Sequence, residues 1–169
     1  MKGQWLIGLV LLTGASLAQA GPYAGFKVGV LDYDLPYFED PTTVEIYLGN
    51  RFNENIAVEF NYIDLGESED GIPPVWTLSG DSVGVGLRLF APLSKQVELS
   101  GRVGVHSWNL ELTEAGYGTL FEDDGTDLFY GVGVTLGLAS NLGLGAHYTV
   151  YDFDEDDASV LSFNLQFRF

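Results

Sequence analysis

Hydrophobic and polar positions alternate one by one along most of the chain after Gly21, with no stretch repeating at the helical period of three and four. A period of two marks strands whose two faces meet different surroundings. At the C-terminal end, Leu161, Phe163, Leu165, Phe167 and Phe169 fall on one face, and Ser162, Asn164, Gln166 and Arg168 on the other. At the start, Ala24, Phe26, Val28 and Val30 alternate with Gly25, Lys27 and Gly29. The same scheme recurs around Val44–Leu48, Ile56–Tyr62, Val83–Leu89, Val97–Val105, Leu128–Leu136 and Leu142–Val150, which makes eight predicted strands. Short connections near Phe52–Asn55, Ala91–Lys95 and Ala139–Asn141 suit tight hairpin turns. Long ones near Asp32–Thr42, Leu65–Gly80, Glu111–Asp127 and Asp152–Ala158 lie at the opposite end. Both termini fall at the short-turn end, so strands one and eight can pair and close an up-and-down barrel.

Composition decides which face is inside. A soluble barrel keeps its apolar face within, whereas a membrane barrel turns it to lipid and has a polar interior. The second face is rich in Gly and Ser, with single charges spaced along it: Lys27, Glu45, Arg51, Glu59, Arg88, Glu98, Arg102 and Arg168. A solvated outer face would carry more charge and fewer glycines, since Gly weakens a strand interior. A narrow lumen needs small residues and a few long ones reaching across it. Tyr62, Tyr130, Tyr148, Phe167 and Phe169 sit near strand ends, where aromatic girdles belong. The expected fold is therefore all-β, an eight-stranded antiparallel transmembrane barrel with short periplasmic turns and four long acidic outer loops. Its interior charges are expected to pair, since an unpaired charge there is costly. Such a filled lumen favours a plug, with an ion path lined by the same charges as the alternative.

Met1 to Ala20 reads as a cleaved secretory leader: Lys2 is the positive start, Trp5–Leu12 the apolar run, and Ala18-Gln19-Ala20 the cleavage site. The apolar run is too short to span a bilayer as a helix. No Cys stands at the cleavage site, so a lipid anchor there is not expected. The barrel domain then runs over residues 21–169.

Charge narrows the function further. The chain carries 24 acidic and 7 basic residues, a formal charge of −17. That excludes nucleic acid as a partner, because a phosphate backbone needs a basic surface. The absence of cysteine excludes disulfides and thiol chemistry. All but Glu45, Glu54, Glu59 and Glu98 of the 24 acids fall at the long-loop end. Glu122, Asp123, Asp124 and Asp127, around Gly125, are candidate ligands for a divalent cation, which prefers carboxylate and carbonyl oxygens. Their spacing does not match an EF-hand, and solubility of the outer loops explains the same acids. Divalent ions bridging these loops to anionic lipopolysaccharide is an intermediate expectation. His106 and His147 share the inward phase with Ser100 and Ser162, while Ser107 faces the other way. No nucleophile, base and orienting group fall together in a motif, so the chain is expected not to be an enzyme and to need no cofactor.

Several segments resemble the OmpA-like transmembrane domain and related small outer-membrane β-barrels of Gram-negative bacteria. They are Tyr23-Ala-Gly-Phe-Lys-Val-Gly29, Val58-Glu-Phe-Asn-Tyr-Ile-Asp-Leu-Gly66, Gly86-Leu-Arg-Leu-Phe-Ala-Pro92, Gly101-Arg-Val-Gly104 and the ending Leu161-Ser-Phe-Asn-Leu-Gln-Phe-Arg-Phe169. The resemblance covers the whole mature chain. It implies that Leu165, Phe167 and Phe169 form the signal read by the barrel-assembly machinery during biogenesis. It also implies that Lys27, Glu59, Arg88 and Arg102 belong to a lumen plug. Thr135, Gly145 and His147 stand where the family pattern has a carboxylate and an arginine, which leaves Glu59 to pair with Arg88 or Arg102. The peptidoglycan-binding domain of longer relatives is expected to be absent, since the sequence stops at the last strand. The partners implied are outer-membrane lipid and lipopolysaccharide. Three functions follow: a structural or surface-interaction role, a narrow ion channel or porin, or an adhesin or receptor acting through the acidic loops.

Overall fold

A computed structural model describes residues 21–32, 40–69, 75–154 and 156–169. The expected leader lies outside the described residues, as does the segment 33–39. Eight strands follow in order: β1 (Gly21–Asp32), β2 (Thr42–Arg51), β3 (Ile56–Glu69), β4 (Trp76–Pro92), β5 (Val97–Glu114), β6 (Gly118–Ala139), β7 (Leu142–Phe153) and β8 (Asp156–Arg168). Each pairs antiparallel with its neighbour in sequence, and β1 pairs with β8 to close the barrel. Closure leaves no edge within the membrane-spanning part, where every backbone group must be bonded internally.

The alternation sets the two faces as expected. Phe26, Val28 and Val30 are exposed while Lys27 and Gly29 between them are buried. The outward row of β6 runs Leu138, Leu136, Val134, Val132, Tyr130 and Leu128, then turns polar at Thr126 and Asp124. The outward rows of neighbouring strands switch in the same way, from Tyr62 to Asp64, Val83 to Asp81, and Val150 to Asp152. This is an apolar belt with an outer tyrosine rim.

Lumen glycines make room for rings. The Tyr23 ring lies across Gly49, the His147 ring across Gly133 and the Trp108 indole across Gly125, each where a Cβ would collide. Turn chemistry at the periplasmic end is local. The Asn53 side-chain oxygen accepts from the backbone N–H groups of Asn55 and Ile56, and Ser94 Oγ accepts from those of Gln96 and Val97.

The outer end differs from the expectation. Leu65–Glu69 and Trp76–Gly80, Glu111–Glu114 and Gly118–Asp127, and much of the last expected loop are strand rather than loop. β3 runs on to Glu69 and β4 begins at Trp76, β5 ends at Glu114 and β6 begins at Gly118, and β7 ends at Phe153 with β8 beginning at Asp156. Spanning a bilayer takes about 9–11 residues of strand, yet β4, β5 and β6 have 17, 18 and 22. The surplus continues above the belt as a wall, with Trp76 paired to Glu114 and Glu114 to Gly118. A sheet standing in water has no lipid-facing side to maintain, so acids occupy strand positions there and mimic a loop in the sequence. Leu65 turns inward in phase with Ile63, and a bulge there, with Gly66 at φ +78°, then shifts the phase so that Ser68 is the next buried position.

Candidate functional site

The lumen is built in three layers. In the middle, Lys27 (β1), Glu45 (β2), Glu59 (β3), Arg88 (β4) and Arg102 (β5) all turn inward and are buried. Lys27 Nζ lies 2.7 Å from Glu45 Oε1, and Arg102 grips both oxygens of Glu45 at 2.6 and 3.1 Å. Glu59 takes Arg88 at 2.9 Å and Arg102 at 3.6 Å, so it pairs with both of the candidate partners. Tyr23 OH donates to Glu59 and Tyr151 OH to Glu45. Thr149 Oγ1 accepts from Arg102 Nε, and Ser100 Oγ accepts from Arg88. His147, beside Arg88, faces Asn164 Oδ1 at 3.0 Å, and Asn164 Nδ2 donates to Tyr47 OH. Hydrogen bonds of this density are what make a buried ion pair tolerable.

The remaining charges form a separate group at the periplasmic mouth. Arg51 forks onto Glu98 at 2.6 and 3.0 Å, and Arg168 reaches the same carboxylate at 3.4 Å. The Arg51 guanidinium stacks 3.5 Å above the Phe90 ring. Tyr23, Tyr47, Ala57 and Phe90 pack between this group and the central one.

The outer layer is apolar, which the sequence reading missed. Leu31, Ile63, Leu65, Trp108, Phe129, Tyr151, Phe153, Ala158 and Val160 form one buried cluster inside the barrel. His106 lies among them, edge-on to Tyr151 and Phe153 at 5.2 and 5.4 Å. Its Nδ1 is 2.9 Å from Ser82 Oγ and its Nε2 is 2.9 Å from the Asp152 carbonyl oxygen. The carbonyl only accepts, so Nε2 carries the proton and Ser82 donates to Nδ1. This serine–histidine pair was not among the sequence candidates. It has the outline of a nucleophile and base, yet Ser82 is 0% and His106 1% exposed, which leaves no room for a substrate. Ser107 is exposed on the outer face, as expected.

The four acids expected to share a cation do not converge. Strand alternation turns Glu122 and Asp124 outward, towards Asp64, Asp81 and Glu111, around a 440 Å³ recess that Asp123 also borders. Asp127 turns the other way, where its Oδ2 accepts from Trp108 Nε1 at 2.8 Å and from the Asp154 amide. Among the described residues no group of three or more acids or histidines has the geometry to hold a metal ion.

A family model for the outer membrane protein beta-barrel domain matches residues 6–169. The chain belongs to that family. It is an integral β-barrel of the bacterial outer membrane, with transmembrane strands and a buried salt-bridge network inside. Its fold matches solved members of this group. Ail, the attachment invasion locus protein of Yersinia pestis, aligns at a TM-score of 0.60 and 17% identity, over 89% of this chain and 97% of Ail. The N-terminal barrel of Pseudomonas aeruginosa OprF aligns at 0.65 and 10%, over 89% and 100%. Neisserial surface protein A aligns at 0.63 and 15%, over 88% and 96%. No curated protein sequence matches the chain. At these identities the likeness concerns the fold of this outer-membrane barrel; what it does rests on its own residues.

Proposed function

We propose that this barrel is a closed membrane anchor whose specific activity, a surface interaction, belongs to the acidic wall above the membrane. The observation that carries this is the filling of the lumen. Two ion-pair groups and an apolar cap occupy successive layers, and the cap holds Leu31, Ile63, Leu65 and Tyr151 at 0% exposure. An ion path would need a continuous polar lining, and nine buried apolar residues interrupt it. The narrow-channel reading loses its support there, and catalysis loses its support at the sealed Ser82–His106 pair. Lys27, Arg51, Arg88, Arg102 and Arg168 serve as counter-charges to Glu45, Glu59 and Glu98, and so specify the barrel rather than bind a ligand.

The seven basic residues are Lys2, Lys27, Arg51, Arg88, Lys95, Arg102 and Arg168, so none lies at the outer end. The Ail structure includes the heparin analogue sucrose octasulfate. A sulfated polyanion of that kind is a poor match for a wall that carries only acids. The leader Met1–Ala20 delivers the chain across the inner membrane. Leu165 and Phe167, in the outward phase of β8, and Phe169 just after it serve as its assembly signal.

Planar-bilayer recording of the refolded protein tests the closed barrel. Wild type is expected to give no single-channel steps, and Phe153→Ala with Leu65→Ala to give small ones by opening the cap. Regular steps from wild type would contradict the reading.

A further inference from the structure

Among the described residues, β6 has a strand on only one side along half its length. It pairs with β5 from Leu136 up to Gly118, but with β7 only from Ala139 to Phe129. From Gly118 to Leu128, no strand among the described residues occupies its other side. That is about 33 Å of exposed strand edge at roughly 3.3 Å per residue. Unpaired backbone donors and acceptors along such an edge are a template for another strand.

The surroundings select what that strand is. Along the edge, Glu122 and Asp124 project on one face and Asp123 and Asp127 on the other, with Phe121 also exposed. At the foot, where β6 leaves β7, a 610 Å³ recess is bordered by Asp127, Asp152, Asp154 and Asp157. Among the described residues none of these aspartates has a salt-bridge partner. A second copy of the chain would bring the same acids to the edge and be repelled. Lipid and polyanions offer no backbone ladder.

We propose that the β6 edge from Gly118 to Leu128 docks an extended cationic polypeptide segment. The segment adds to the sheet in the place β7 vacates and seats a basic side chain in the aspartate recess. This deepens the surface-interaction reading by naming the class of partner, and it rests on that reading.

The test uses the full chain refolded into phosphatidylcholine vesicles, with a fluorescent ten-residue peptide of alternating Lys and Val as the probe. Anisotropy should report saturable binding that weakens with salt. A Lys–Pro repeat of equal charge cannot form the ladder, and should bind at least about tenfold more weakly, since its prolines have no N–H to give the backbone hydrogen bonds. A Glu–Val repeat should not bind. Asp154→Asn with Asp157→Asn should weaken the Lys–Val peptide severalfold while leaving heat-modifiable gel mobility unchanged. Bound peptide should slow amide exchange in residues 118–128. Equal binding of the Lys–Pro repeat, protection elsewhere, or no binding of the Lys–Val peptide would each overturn the proposal. A silent barrel that fails to bind the peptide removes this docking edge and leaves the closed anchor standing.

Discussion

The lumen and the outer wall are both charged, and they treat charge in opposite ways. Inside, Lys27, Glu45, Glu59, Arg88 and Arg102 are buried and held by phenol and hydroxyl partners within hydrogen-bond distance. Outside, acids stand half-buried on β5 and exposed along β6, with no basic residue near them. Asp64 and Asp81 are even cross-strand neighbours, an arrangement that costs stability where like charges meet directly. Water screens the wall, so repulsion there is mild, whereas a low-dielectric lumen makes every unmatched charge expensive. The lumen thus encodes one structure, and the wall encodes a surface.

This contrast can be broken from either side. The largest effect is expected from Glu45→Ala, which strands Lys27 and Arg102 without their shared partner and should cost about 3–5 kcal/mol. Urea unfolding in vesicles, followed by gel mobility, measures it. Val85→Arg, on the lipid side of β4 and below the Asp81 boundary, should cost about 2–4 kcal/mol in the same assay. Gly133→Val places carbons where the His147 ring lies, and should cost about 1–3 kcal/mol by overpacking. Glu122→Gln with Asp124→Asn on the wall should stay within about 0.5 kcal/mol of wild type. A wall variant as damaging as Glu45→Ala would erase the distinction.

The strands, their phase and the identity of the lumen charges were legible in the sequence, because period-two alternation assigns every residue to a face. Pairing was not. Arg51 and Glu98 are 47 residues apart, and the register of four strands decides that they meet. The apolar cap was hidden for a different reason. Trp108, Tyr151 and Phe153 continue the inward phase above the glycines and charges, at the point where acids on the alternate positions read as loop. Following the inward phase past His106 to Trp108, and past Thr149 to Tyr151 and Phe153, is the signal that reveals them. The acids of Glu111–Asp127 misled in the same way: high charge suggested loop, while the alternation of Leu110 and Leu112 against Asn109 and Glu111 already carried the strand.

Native-state amide exchange of the vesicle-embedded protein compares the two regions in one experiment. Closed-barrel segments of β1, β2 and β5 around Lys27, Glu45 and Arg102 should exchange only with global unfolding. Residues 118–128 of β6 should exchange far faster than residues 104–112 of β5, which are paired on both sides. Equal protection of the two stretches, or fast exchange around Glu45, would contradict a sealed lumen beneath an open edge.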